Sequence, residues 1–456
     1  MAIGLYTYRS PIMAMTHAVS SGHYLAAAAG YRILEDGGNA IDAGVASGIA
    51  INVTLPHSTN FGGVAPIMIY LAKTDSVVTI SGLGRWPRDA SIEYFNKYAG
   101  GEIPPGILRT VIPSAADAWL TALEKYGTMT FEQVVTPALE LAYNGFPLSS
   151  KVQRSLVASE QLNGGNTKMW PSNMEIFMPG GRVPKLGVPL VQKDLARTFK
   201  RLIEVERANS HKGRESSIRA ARDYFYKGDI AEEMARFSYE QGGLLTLQDL
   251  KEFEVQFEEP EMGNFREYTV FTCGPWCQGP VVAQALQMLQ HDDLAALGHN
   301  SSDYVHLISQ TLNLAFSDRH HFYGDPDFVE VPMNRMLSNS YTSDRRGAID
   351  MKRAFPDMPP PGTPEMYWTE DRDMKLSGRL GDSSQQQDTS YTCVVDRWGN
   401  AFSATPSDPM AESPIVPGLG IQMSARGSQS WLDPNHPSSL EPWKRPRLTP
   451  NPAIAF

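Results

Sequence analysis

The sequence predicts an α+β fold, on three observations. Alanine-rich and apolar-periodic stretches with helix-start signals fill the first part and the middle of the chain. Two pairs of short β-branched runs are each joined by a polar turn, one at Lys73-Thr74-Asp75-Ser76 and one at Asp396-Arg397-Trp398-Gly399-Asn400. Hydrophobic residues make up 42% and charged residues 20% of 456, a globular balance in a chain long enough for a large core and two or three domains.

Tyr24 to Leu34 sets Leu25, Ala29 and Ile33 at helical spacing and stops at Gly37-Gly38. A second helix is expected from Ala40 to Ile51, its small side chains suited to close packing against another element. Strands follow at Ile67 to Leu71 and Val77 to Ile80. Thr130 with Gln133 forms a capping-box pattern ahead of a periodic run ending near Gly145, and Thr246 with Asp249 marks another helix start. Val281 to Leu289 and Tyr304 to Phe316 have amphipathic spacing. Residues 356–388 break the pattern. They hold Pro359-Pro360-Pro361-Gly362, many charges and then Gly381-Asp382-Ser383-Ser384-Gln385-Gln386-Gln387, the composition of a mobile loop or linker. Thr392 to Val395 and Ala401 to Thr405 then form a hairpin. There is no internal repeat, and the closing Pro452-Ala453-Ile454-Ala455-Phe456 reads as an interrupted strand.

Bulk properties exclude several classes. A net charge of -10 argues against nucleic-acid and anionic-membrane partners. No apolar run reaches the length of a transmembrane helix, and Met1 to Ser20 does not read as a secretory signal, so the expected location is cytoplasmic. Cys273, Cys277 and Cys393 make no disulfide framework, and the first two are half a zinc site with no second half. His320-His321, near Asp318 and Asp325, would diverge on a helix and chelate poorly. Gly62-Gly63 lacks the lysine and Ser/Thr of a phosphate loop, Trp276 reads as part of a tight turn, and no Gly-x-Ser-x-Gly elbow occurs. Neither a metal nor a cofactor is expected.

The candidate nucleophile is Thr389, at the head of the 392–395 strand and the end of the linker. Most strand threonines are structural, because β-branching suits a pleated surface. Thr389 differs in its surroundings: a strainable segment precedes it and a rigid hairpin follows. If the Asp388–Thr389 bond is cut, the new α-amine lies beside the hydroxyl and can take its proton.

Leu34-Glu35-Asp36-Gly37-Gly38-Asn39-Ala40-Ile41-Asp42-Ala43, Glu124-Lys125-Tyr126-Gly127-Thr128-Met129, Gly242-Gly243-Leu244 with Asp249-Leu250, Tyr323-Gly324-Asp325-Pro326-Asp327-Phe328 and Val394-Val395-Asp396 occur in an order and spacing that cover nearly the whole chain. Together they identify a resemblance to the γ-glutamyltransferase (γ-glutamyltranspeptidase) family of N-terminal-nucleophile hydrolases. The resemblance implies a four-layer αββα sandwich and self-cleavage between Asp388 and Thr389. The products would be a large subunit, 1–388, and the start of a small one, 389–456, compatible with a homo-oligomer. It also implies attack of Thr389 on a small-molecule amide, with water or an amine accepting the acyl group.

Arg85 falls where the family holds a substrate α-carboxylate, with Arg88 as the alternative counterpart; a guanidinium suits that task. Ser407 matches a second family threonine near the nucleophile's amine, and Pro409 stands where a contacting asparagine is expected. The acidic pair that reads the substrate α-amino group is replaced by Ser424-Ala425-Arg426, and the paired serines by Leu448-Thr449. The oxyanion glycine pair is expected beyond Phe456. These replacements leave three readings. One is a γ-glutamyl enzyme acting on glutathione-like compounds. The second is an amidohydrolase whose acyl group is a small or dicarboxylic acid without the α-amino group, with Arg426, Ser424 and Thr449 in its binding site. The third is an uncleaved binding module.

Overall fold

The computed structural model describes residues 12–161, 170–363 and 389–456. Asp388, residues 364–387 of the expected linker and the first eleven residues lie outside the described residues.

The helix Tyr24–Glu35 starts at His23, whose Nδ1 accepts the Leu25 N–H. The next, Ala40–Thr54, opens with a reciprocal capping box between Asn39 and Asp42 and runs three residues past the expected end. Every residue of it is buried, which accounts for its small side chains. A Cβ on Gly44 would strike the Phe402 ring at 2.2 Å, and one on Gly48 the Trp119 ring at 2.5 Å. The capping boxes at Thr130/Gln133 and Thr246/Asp249 open the helices Phe131–Asn144 and Leu247–Glu252.

Beneath the buried helix lies a six-stranded antiparallel sheet in the order Ala18–Ser21, Thr392–Val395, Ala401–Ala404, Ile67–Leu71, Ser76–Ile80 and Phe257–Glu258. Both expected hairpins are present, joined edge to edge through Ala401–Ala404 and Ile67–Leu71. Side chains alternate with the strand period: Val394, Phe402 and Ile69 face the helices, and Met68 faces away. On that second face Met68 and Val77 pack with Phe271 and Ile454. The latter two belong to a second sheet of Ala453–Ala455, Tyr268–Thr272 and Glu261–Phe265. The helix Gly279–Leu289 closes over this sheet, so tightly that a Cβ on Gly263 would lie 2.8 Å from Ala283. Ser302–Phe322 and Asn339–Gly347 pack behind it. Helices, sheet, sheet and helices make four layers, the α+β sandwich that the resemblance implies.

Two regions differ from expectation. The helix expected to end at Phe316 runs to Phe322 and carries His320 and His321 in its last turn. The start of the expected linker is not loose: Ser317 Oγ donates to the Pro359 carbonyl at 2.6 Å, Arg345 to that of Pro360, and the Gly362 N–H to Asp318 Oδ1 at 2.8 Å. A buried carboxylate requires donors, and Asp318 obtains one from this segment. The apolar ending agrees with its expected strand character: Ala453–Ala455 pairs at one edge of the second sheet. Among the described residues no helix is long and apolar enough to cross a membrane, and no group of three or more His, Cys, Asp or Glu could hold a metal.

Candidate active site

The second and third strands of the first sheet, Thr392–Val395 and Ala401–Ala404, carry the site at their ends. Thr389 and Ser407 lie opposite each other in an antiparallel bridge, and Ser407 bridges onward to Val64. Backbone hydrogen bonds fix this register: Ser390 N–H to the Pro406 carbonyl, 3.1 Å, and Ser407 N–H to that of Val64, 3.0 Å. Ser390 turns to the helix side, where a Cβ on Gly22 would come within 2.0 Å of its hydroxyl. Alternation therefore sends Thr389 to the other face, that of Tyr391, whose hydroxyl meets Ser403 Oγ at 2.8 Å. There Thr389 Oγ1 lies 2.9 Å from Ser407 Oγ.

Gly63 lets a second loop come close. A Cβ there would lie 2.3 Å from the Ser407 carbonyl oxygen and 2.8 Å from Asp408 Cβ. The Gly63 carbonyl in turn accepts the N–H groups of Ser114 and Ala115.

Sequence reasoning missed Asp408. Its backbone has φ of 108°, a region non-glycine residues rarely adopt, and this turns a buried carboxylate back toward the 424–426 loop. Ser424 Oγ donates to its Oδ2 at 2.6 Å and the Ala425 N–H to its Oδ1 at 3.1 Å. Arg426 Nε is 3.4 Å from Oδ1, and Arg426 Nη2 donates to Ser407 Oγ. Burial pushes the Asp408 carboxyl above its usual range, although the Arg426 charge and the hydrogen bonds from Ser424 and Ala425 pull the other way. The signal was an acid between Ser407 and Pro409; what the sequence could not display is the left-handed backbone that aims it.

The chain of groups has a direction. A guanidinium only donates, so Ser407 Oγ accepts from Arg426, and its own proton can go to Thr389 Oγ1. Thr389 would then keep its hydroxyl proton for another base.

Thr389, Ser407, Ser424 and Arg426 are thus brought together. Arg85 is placed differently: its guanidinium binds Asp327 at 2.5 Å, Asp325 at 3.4 Å and the Trp443 carbonyl at 2.9 Å. Burial would raise the Asp327 carboxyl, but the Arg85 hydrogen bond and the Arg445 and Arg85 charges hold it low. Arg85 remains a near neighbour through the backbone, since Ile112 N–H bonds its carbonyl while the adjacent Val111 N–H bonds that of Ser424. Arg88 pairs with Asp249 and Glu252. Thr449 Oγ1 accepts from Gln429 Nε2 at 3.1 Å.

The sequence pattern of the gamma-glutamyltranspeptidase family matches residues 26–456. The chain belongs to that family. It is 30% identical over 447 residues to the glutathione hydrolase proenzyme of Bacillus subtilis (strain 168), covering 96% of this chain and 72% of the relative. It is 31% identical over 453 residues to the acylase ACY 1 proenzyme of Pseudomonas sp. (strain SE83), covering 96% and 74%. The crystal structure of cephalosporin acylase from Bacillus halodurans superposes with a TM-score of 0.83 at 28% identity, over 99% of this chain and 77% of that one. This gamma-glutamyltranspeptidase-family chain is therefore an enzyme of the hydrolase/acyltransferase kind.

Proposed function

We propose that the protein cleaves itself between Asp388 and Thr389 and then hydrolyses, or transfers from, an amide whose acyl group carries a carboxylate and no α-amino group. The freed Thr389 amine takes the Oγ1 proton as Oγ1 attacks the amide carbonyl. The tetrahedral intermediate collapses to an acyl-threonine, and the leaving amine departs with the proton. Water or an amine then attacks the ester, and Oγ1 recovers its proton. Ser407 orients Oγ1 throughout, and Arg426 acts on Ser407.

One observation carries the acyl-group assignment: the Arg426 guanidinium is buried on Ser407, the hydroxyl next to Thr389 Oγ1. A substrate ammonium brought there meets a like charge in a poorly solvated place, whereas a carboxylate meets an opposite one. Asp408 offers little compensation, because Ser424, Ala425 and Arg426 already occupy its oxygens. The rival assignment, a γ-glutamyl group on a glutathione-like compound, requires Asp408 to release these partners and receive the ammonium.

Kinetics on the full-length protein decide between them. A glutaryl anilide should exceed the matching γ-glutamyl anilide in kcat/KM by about tenfold or more, the discrimination expected from one misplaced charge. Preference for the γ-glutamyl compound would overturn the assignment. Cleavage is tested separately on a denaturing gel. Wild type should give two bands and Thr389→Ala one, and a single wild-type band would return the protein to the binding-module reading.

A further inference from the structure

A second group of buried polar side chains lies between the end of the Ser302–Phe322 helix and the 431–448 segment, and the mechanism does not use it. Arg447 donates to the carbonyl oxygens of Arg319 and His320, and Arg319 Nη2 to that of Leu448. The Arg447 guanidinium carbon sits 4.4 Å over the Trp431 ring, which stacks on His436 at 4.1 Å, and His320 meets His436 at 5.0 Å. Tyr323 is fully buried, Arg447 is 3% exposed and His436 4% exposed.

Arg319 Nε, Arg447 Nε, the Tyr323 hydroxyl and His436 Nε2 are all shielded from solvent, and among the described residues none has a hydrogen-bond partner. His436 Nδ1 accepts the Ser438 N–H at 2.9 Å, so the proton of a neutral ring sits on Nε2. All four are then donors. Burial, followed by the Arg447 charge, pushes His436 down to about 2, and burial lowers His320 to about 4, so both rings are neutral near pH 7. Asp318 is committed to Arg345, Asp325 to Arg445 and Arg85, and Glu441 to Lys444, while Glu261, whose charge acts on Tyr323, hydrogen-bonds none of the four donors among the described residues. No carboxylate pairs with Arg319 or Arg447 among the described residues. Two guanidinium groups so placed repel each other, and unpaired buried donors are costly.

We propose that Arg319, Arg447, Tyr323 and His436 form a binding site for a compact oxyanion, which supplies the acceptors these donors lack. The shared chemistry is a carboxylate- or phosphate-type group with several lone pairs in a small volume. Its source is either a free anion or the carboxylate of a substrate. A contact supports the second: Thr449, two residues after Arg447, accepts from Gln429, which shares a 3-10 turn with Arg426.

Thermal unfolding of the wild-type protein in inorganic phosphate, sulfate or glutarate, against chloride at equal ionic strength, tests the site. At least one oxyanion should raise Tm saturably, by about 2 °C or more. Arg447→Gln should weaken the apparent affinity by about tenfold or more, the value of a lost charge-assisted contact. If that variant does not fold, Tyr323→Phe deletes a single donor and should weaken binding several-fold. Competition separates the sources. An oxyanion that raises KM for the anilide substrate without changing kcat occupies a substrate position, while one that stabilises without competing is a separate ligand; either result supports the site. The proposal is overturned if no oxyanion stabilises saturably, or if stabilisation persists undiminished in both variants. The readout does not depend on which acyl group Thr389 accepts.

Discussion

Ser407 holds its hydroxyl between a group that only donates and the candidate nucleophile. Ser407→Ala removes the link. Thr389 Oγ1 loses a donor that orients it, and the buried Arg426 guanidinium loses Ser407 while keeping Asp408. The expected result is a fall in kcat on the order of 10²-fold with little change in KM, because an orienting contact acts mainly on the chemical step. Ser407→Thr keeps the hydroxyl and should recover most of the rate. Steady-state kinetics on protein shown to be cleaved would check this. A kcat for Ser407→Ala within about twofold of wild type would remove Ser407 from the mechanism.

At the scale of elements, Asp42 shows how a local signal and a distant contact combine. As the third residue of the Ala40–Thr54 helix it accepts the Asn39 N–H at 2.9 Å, completing the capping box. It also accepts the Thr128 N–H at 2.9 Å, the Thr128 hydroxyl at 2.7 Å and the Met129 N–H at 3.1 Å. One buried carboxylate therefore ties the helix start to the loop after Ala115–Tyr126. Asp42→Ala leaves these donors unmet and should cost about 3 kcal/mol, seen as a lower urea midpoint, with Asp42→Asn between it and wild type. Equal midpoints for Asp42→Ala and wild type would contradict this account. The same contrast explains what could be read from the chain. Capping boxes and hairpin turns depend on neighbours a few residues apart, so Thr130, Thr246 and the turn at Asp396 were visible. Strand order was not, because Ala18–Ser21 pairs with Thr392–Val395 across most of the sequence. Within the site, the spacing of Thr389 and Ser407 carried information. The aim of Asp408 depends on one backbone angle, and the partners of Arg85 lie 240 and 242 residues away.

For the whole molecule, burial of titratable groups sets how the fold responds to acid. His436 is held at about 2 and His320 at about 4, against an ordinary value near 6.5. A histidine with a depressed folded value takes up its proton more readily when unfolded. Its contribution is present above about pH 6.5 and is lost as pH falls toward the folded value. Asp318 and Asp408 are raised, chiefly by burial, and act in the opposite sense: their contribution is present below the ordinary carboxyl value and is lost as pH rises through the raised one. The overall profile mixes these slopes, so the informative quantity is a difference between two proteins. His436→Asn retains an acceptor for the Ser438 N–H and removes one titration. Between pH 6 and pH 4 the wild type should lose about 2.5 kcal/mol more stability than this variant, close to one proton's worth across the interval. Urea midpoints at several pH values measure it. Parallel profiles would mean that His436 gains its proton in the folded protein as readily as in the unfolded chain, and the buried neutral ring assigned to it would have to be abandoned.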